Sequence, residues 1–251
     1  MRQSFHPISI FSQEPYSHII AYPRPTKRQV SARILELKKL GIIKVSFQGT
    51  TRIENLDVLG KGYVGIVVLG KTESKKIALK IKRLDSQRSD MRKEAALLEL
   101  ANRAGVGPKL ISSSRNFLVM EYLDGEKIGK WTMGLSKTDT KKVKTSLKKI
   151  LQDCYNLDKN GIDHGELSNI SKHAIIGKKS TLIDFESSST KRRVANVTSA
   201  TQGVFIGSGI SKKISRIYKL PRKDKIISSL RSYKKNPTGQ TFADILEVLK
   251  L

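Results

Sequence analysis

The sequence predicts an α+β chain in two parts, β-rich toward the N-terminus and helical toward the C-terminus. Three observations carry this. Residues 42 to 83 hold short runs rich in β-formers (IIKVSF, GIVVLG, KKIALKIKR) broken by Gly, Thr and Ser, the pattern of an antiparallel sheet. Val143, Leu147, Ile150, Leu151, Cys154 and Leu157 keep helical spacing, and Gly161 ends that run. Between them RNFLVMEYL reads as a buried strand that closes the β-rich part near Leu123.

Taken in order, residues 1 to 25 are rich in Pro, Tyr, Ser and His and show no periodicity. They begin an N-terminal extension, residues 1 to 41, whose second half is an amphipathic helix: Val30, Ile34, Leu37 and Gly41 share a face, and Thr26 is placed to cap it. Residues 42 to 123 then form the β-rich lobe. Inside it a helix from Ser89 to Arg103 is stopped by Gly105, and its apolar stripe of Met91, Leu98 and Ala101 also carries Glu94. A carboxylate on such a stripe is unexpected. Residues 124 to 251 form the helical lobe, with Asp139 to Leu157, Lys223 to Tyr233 and Thr241 to Leu249 as its clearest helices.

At 38% hydrophobic and 28% charged residues the chain has enough apolar surface to fold as a globule. No apolar run is long enough to form a transmembrane segment, and MRQSFHPISIF lacks a signal-peptide core, so the expected location is cytoplasmic. The single cysteine, Cys154, excludes an internal disulfide and a Cys-rich zinc site, and its place on a helical stripe predicts a packed thiol. Charge is more informative. Forty-eight Lys and Arg against 22 Asp and Glu leave +26, and Glu186 to Lys235 alone holds 13 basic residues against 2 acidic ones. Such a field attracts RNA, DNA or acidic lipid, and it reads either as a solvated basic surface or as a nucleic-acid face.

The stretch GKGYVGIVVLGKT, residues 60 to 72, matches two phosphate motifs. From Gly60 it is GxGxxGxV, a glycine hairpin that covers ATP phosphates; from Gly65 it is GxxxxGKT, a P-loop. A P-loop needs a curled backbone nest followed by a helix. Here the loop positions are Ile66, Val67, Val68 and Leu69, which favour extended strand, and ESKKIALKI after Thr72 is strand-like again. GKTES is therefore read as a hairpin turn. The glycine-hairpin reading also finds a lysine on the next strand, Lys80, and explains Glu94 as the carboxylate that fixes it, since either charge is costly to bury unpaired.

Six segments in order, LGKGYVGIV, IALKI, RKEAALL, FLVMEYL, DHGEL and LIDFE, span Leu59 to Glu186 and resemble the protein-kinase-like superfamily. The chain is most similar to the compact RIO-type and archaeal predicted serine/threonine kinases. The resemblance implies a two-lobed kinase-like fold with a shortened activation segment, since no APE motif follows Asp184. It implies that Gly60, Gly62 and Gly65 cover phosphates, that Lys80 contacts them, and that Glu94 orients Lys80. It further implies that Leu59, Val67, Ala78 and Met120 border adenine, that the backbone of Glu121 and Leu123 reads its edge, and that Asp184 holds Mg²⁺ or Mn²⁺.

The catalytic segment departs from the family pattern. In DHGELSNISKH the place of the catalytic aspartate is taken by Glu166, and that of the metal-binding asparagine by Ser171, with Asn169 two residues earlier. Asn169 or Ser171 reaches a second metal only if the loop is reshaped; a turn role serves equally. His164 and His173 are read as structural rather than as a metal pair. The resemblance implies an ATP and Mg²⁺-dependent phosphotransferase, an atypical serine/threonine protein kinase acting on an unidentified protein acceptor. Three alternatives stay open: an ATPase switch, a weakly active module binding RNA or ribosomal particles, and, from LIDFE, a small-molecule kinase.

Overall fold

The β-rich runs of the first half pair into one antiparallel sheet. In the computed structural model, which describes residues 4–207 and 209–251, the chain divides into two units, Met1–Glu99 with Pro108–Leu123 and Leu100–Gly107 with Asp124–Leu251. The α+β class holds.

The first unit runs β1 (His6–Pro7), a 3₁₀ turn at Ile8–Ser12, α1 (Ser17–Ile20), α2 (Lys27–Lys39), β2 (Lys44–Ser46), β3 (Thr51–Ile53), β4 (Leu56–Val58), β5 (Gly60–Lys61), β6 (Gly65–Lys71), β7 (Lys76–Lys82), the start of α3 (Arg92–Arg103), β8 (Leu110–Ser113) and β9 (Phe117–Glu121). The main sheet has the order β1-β2-β6-β7-β9-β8, with β5 paired to β6. Ile66, Val68, Ile77, Leu79, Ile81, Phe117 and Val119 are at most 1% exposed and form its core.

Residues 4–25, without periodicity in sequence, are held by that core: Phe11, Ile19, Ile20 and Ala21 are at most 1% exposed. In α2 the cap is Thr26, reciprocated by Gln29. Its buried face contains Arg33, which sequence polarity assigns to solvent. The Arg33 guanidinium donates to the carbonyls of Ile20 and Lys82 and to Asn116 Oδ1, while Glu36 accepts from Ser114 Oγ and from the backbone and side-chain nitrogens of Asn116. Burial lowers the Arg33 pKa to about 10, and neighbouring Glu36 opposes the shift. The helix expected from Ser89 starts at Arg92, because the Asp90 carboxylate accepts from the Arg92 amide at 3.0 Å and ends the loop there.

The second unit continues with β10 (Gly125–Lys127), α4 (Ile128–Trp131), α5 (Thr140–Lys159), α6 (Ile170–His173), β11 (Ala174–Gly177), β12 (Ser180–Leu182), α7 (Asn196–Phe205), α8 (Gly209–Ile217), α9 (Lys223–Lys235) and α10 (Gly239–Leu249). The expected stripe of α5 is buried, Cys154 included, and packs on α7 and β12. Near its end Asp158 accepts from the amides of Asn196 and Val197, from Asn196 Nδ2 and from the Tyr233 hydroxyl. One buried carboxylate thus fixes the start of α7 and anchors α9.

No helix among the described residues is long and apolar enough to cross a membrane.

Candidate functional site

In the first unit, β5 and β6 form the glycine hairpin: Gly60 faces Val67, Lys61 faces Ile66, and the Gly62 amide donates to the Gly65 carbonyl at 2.8 Å. Tyr63, at the tip, is 91% exposed. Gly65 tolerates no side chain, because a Cβ would stand 2.9 Å from the Ile81 carbonyl oxygen and 3.0 Å from Lys80 Cγ. The missing side chain lets the hairpin close against the lysine stem. The stretch from Gly65 to Lys71 is strand, and Thr72 turns directly into β7 through its amide bond to Lys75, so no helix opens at Lys71 and the P-loop geometry is absent.

Lys80 lies opposite Val67 on β6 and Leu118 on β9, and Ala78 lies opposite Met120. Alternation along the strands puts Val67, Ala78, Lys80 and Met120 on one face of the sheet. The Lys80 ammonium donates to Glu94 Oε1 at 2.7 Å, with the two residues only 4% and 3% exposed. Leu59 is half-buried, and its amide bonds to Val67. Of the two positions expected to read an adenine edge, Leu123 is half-buried, whereas the Glu121 amide N–H is already committed to the Lys109 carbonyl at 2.9 Å.

Two contacts to the hairpin went unread in the sequence. Lys61 donates to the Tyr22 hydroxyl at 2.7 Å with its ammonium 4.1 Å from that ring's centroid, and Arg83 donates to the Gly62 carbonyl at 2.9 Å. Asp85 holds the Arg83 guanidinium and raises its pKa. Only a fold that returns residue 22 to the hairpin reveals Tyr22, since no local signal marks it.

In the second unit the segment DHGELSNISKH is braced on both sides. Asn196 Oδ1 accepts from the His164 amide at 2.8 Å, and the Asn196 carboxamide donates in turn to Asp158 and to the Ile162 carbonyl. His164 is fully buried. Its Nε2 stands 3.1 Å from the Ile183 carbonyl, which can only accept, so the ring proton is on Nε2. Burial, with His173 alongside, lowers its pKa to about 4 and keeps it neutral. Asp163 and Ser189 exchange backbone bonds, and Arg192 donates to the Asp163 carboxylate and to the Ser187 carbonyl. Gly165, at φ +89°, has no room for a Cβ beneath Arg192 and Ser187. Residues 185–195 are thereby tied back onto the DHGELSNISKH segment.

Glu166 is half-buried and accepts from Ser187 Oγ at 3.1 Å. Asp184 follows β12 at φ +71°, a left-handed conformation that costs a non-glycine residue about 1–3 kcal/mol and collects at functional positions. Glu166, His173 and Asp184 each present a ligand atom, and these lie within 4.8 Å of one another. Asn169 is exposed, and its carboxamide oxygen accepts from Ser171 Oγ at 2.6 Å, so these two residues engage each other.

A family model described as RIO domain matches residues 67–195, just over half of the chain. The chain belongs to the RIO family. This is an atypical protein-kinase-like family, and membership implies ATP binding, typically with Mg²⁺. The RIO match begins at Val67 within β6, takes in β7, α3, the DHGELSNISKH segment and Asp184, and ends one residue before α7. Among curated proteins, none matches the chain.

Proposed function

We propose that this RIO-family chain is an ATP-dependent phosphotransferase, an atypical serine/threonine protein kinase with an HGE segment in place of HRD. The observation that carries the reading is the Lys80–Glu94 pair, buried at 2.7 Å. A buried ion pair rarely stabilises a fold more than well-packed apolar residues do, so its place beside the buried Leu79 and Ile81 of the strand and Ala95 and Leu98 of the helix favours a ligand-binding role.

In this reading the Lys80 ammonium neutralises α- and β-phosphate charge, and Glu94 holds it in one rotamer so that no ordering is needed when ATP arrives. The hairpin of Gly60, Gly62 and Gly65 closes over the phosphates, its tip held by the bond from the Gly62 amide to the Gly65 carbonyl. Leu59, Val67, Ala78 and Met120 offer adenine an apolar surface, and Leu123 with the carbonyl side of Glu121 reads its edge.

In the second unit Asp184 and Glu166 are the acidic groups. Two carboxylates beside an imidazole suit a divalent cation. Such an ion would neutralise charge on the transferring phosphoryl group. Glu166 accepts the proton of the acceptor hydroxyl, and Ser187, donating to Oε1, orients the carboxylate.

The test measures ATP turnover and phosphoprotein together for the native chain, Lys80→Ala, Asp184→Ala and Glu166→Gln. Labelled protein that disappears in all three variants is expected, with a loss of about 10²-fold or more for Glu166→Gln. Free phosphate without phosphoprotein would reassign the chain to an ATPase. Neither product from the native chain would overturn the reading.

A second reading, RNA or ribosome binding, is favoured by α8. Its buried face is Ile210, Ser211, Ile214 and Ile217, while Lys212 and Arg216 are exposed, as is Lys219 just beyond it. A packed helix thus presents a basic outer face.

A further inference from the structure

We infer that His173 is a metal ligand, and that Glu166, His173 and Asp184 form a mixed nitrogen–oxygen site selecting a divalent first-row transition ion such as Mn²⁺ over Mg²⁺. The inference deepens the reading above, resting on its assignment of Asp184 to a metal.

His173 is 8% exposed, yet neither ring nitrogen has a good hydrogen bond. Nδ1 is buried without a partner, and Nε2 stands 3.4 Å from Glu166 Oε2, longer than the roughly 2.7–2.9 Å of a charge-assisted bond. A buried polar ring left this way is a cost that a cation would relieve. The 3.4 Å separation has its own meaning. Neighbouring ligand atoms of one first-row ion stand roughly 3.0–3.4 Å apart, the wider value for tetrahedral and the narrower for octahedral coordination, so His173 and Glu166 already stand near the spacing of two ligands of one ion.

The backbone brings in the third ligand. The Ile183 amide donates to the His173 carbonyl at 3.0 Å, and β11 pairs with β12 from Ala174 opposite Leu182. This register sets Ile183 opposite His173 with Asp184 the next residue along, and the left-handed turn at Asp184 accompanies a carboxylate within 4.8 Å of the other two ligand atoms. The His164 ring, 5.5 Å away centroid to centroid, walls one side.

Imidazole decides the ion class. Mg²⁺ prefers oxygen ligands and keeps its water, whereas first-row transition ions gain from a nitrogen donor. A carboxylate that binds an ion through one oxygen keeps the other for a proton, so the site is compatible with the role of Glu166 in transfer.

The experiment uses the metal-stripped full chain without nucleotide. Titration with Mn²⁺ and with Mg²⁺ should show Mn²⁺ bound about tenfold tighter or more. Pulsed EPR of the bound Mn²⁺ should show nitrogen modulation that changes on ¹⁵N-histidine labelling. Glu166→Gln, a half-buried isosteric change, should weaken Mn²⁺ about tenfold, and His173→Leu should abolish the modulation. If His173→Leu does not fold, the labelled native protein and Glu166→Gln still decide. Absence of nitrogen modulation, or equal affinity for the two ions, overturns the inference. Because no ATP is present, phosphotransfer without a nitrogen ligand would sink only this inference, and a nitrogen-ligated ion without phosphotransfer would sink only the kinase reading.

Discussion

Lys80 and Glu94 face each other at 2.7 Å, one on a central strand and one in the first turn of a helix, both almost wholly removed from water. Breaking such a pair leaves a buried charge, which typically costs about 3–5 kcal/mol, whereas replacing both partners by apolar residues is often neutral. Lys80→Met alone should therefore lower stability by about 3 kcal/mol in urea denaturation, and Lys80→Met with Glu94→Leu should recover most of it. Neither protein should bind ATP. Recovery of binding along with stability would show that the pair is structural only.

Tyr22 ties the N-terminal segment to the glycine hairpin through Lys61. Tyr22→Phe removes the hydroxyl acceptor but keeps the ring, so a loss of about 1 kcal/mol in hairpin order is expected. Hydrogen exchange at residues 60–65 should speed up by roughly fivefold, and the KM for ATP should rise with kcat little changed. Tyr22→Ala, which also removes the cation–π contact, should do more.

The outer face of α8 supplies a salt-dependent test. Replacing Lys212, Lys213, Arg216 and Lys219 by Gln should weaken RNA binding. If all four meet phosphates, it should also flatten the log–log salt slope by about 3, at roughly 0.7 per contact on a single strand. The fold should be unaffected, since the helix is held by its isoleucines. An unchanged slope would leave the basic charge as a solubility feature.

Cys154 is fully buried, and burial, reinforced by Asp158 and Asp153, pushes its thiol pKa well above the ordinary value. The folded chain should resist thiol reagents at pH 8 and react only on unfolding. The sign for stability follows from linkage. With the folded pKa raised, the stabilisation is complete below the unfolded pKa, about 8.5, and is lost as pH rises toward the folded value, by up to about 1.4 kcal/mol per pH unit. The stability difference between the native chain and Cys154→Ala should shrink above pH 8.5, as measured by paired denaturation curves.

The glycine hairpin, the strand bearing Lys80, the misplaced acid Glu94 and the stripe of α5 are legible in the sequence because each depends on local periodicity or on short-range turn chemistry. The P-loop match fails for the same local reason, as β-branched residues at 66 to 68 hold the chain extended. Tertiary structure decides what depends on distant partners. Arg33 is polar by identity, yet it is buried because the Ile20 and Lys82 carbonyls and Asn116 come from separate segments to satisfy it. Residues 4–25 show no period of their own and are ordered by the sheet they cover. His173 reads as a structural histidine until β11 and β12 bring Asp184 beside it. Sequence by itself determined the family and the order of the chemical parts, since local propensity and motif spacing are properties of short segments. Only the folded chain decided which buried polar groups find partners, because hydrogen bonds and metal ligands depend on distances between segments far apart in sequence.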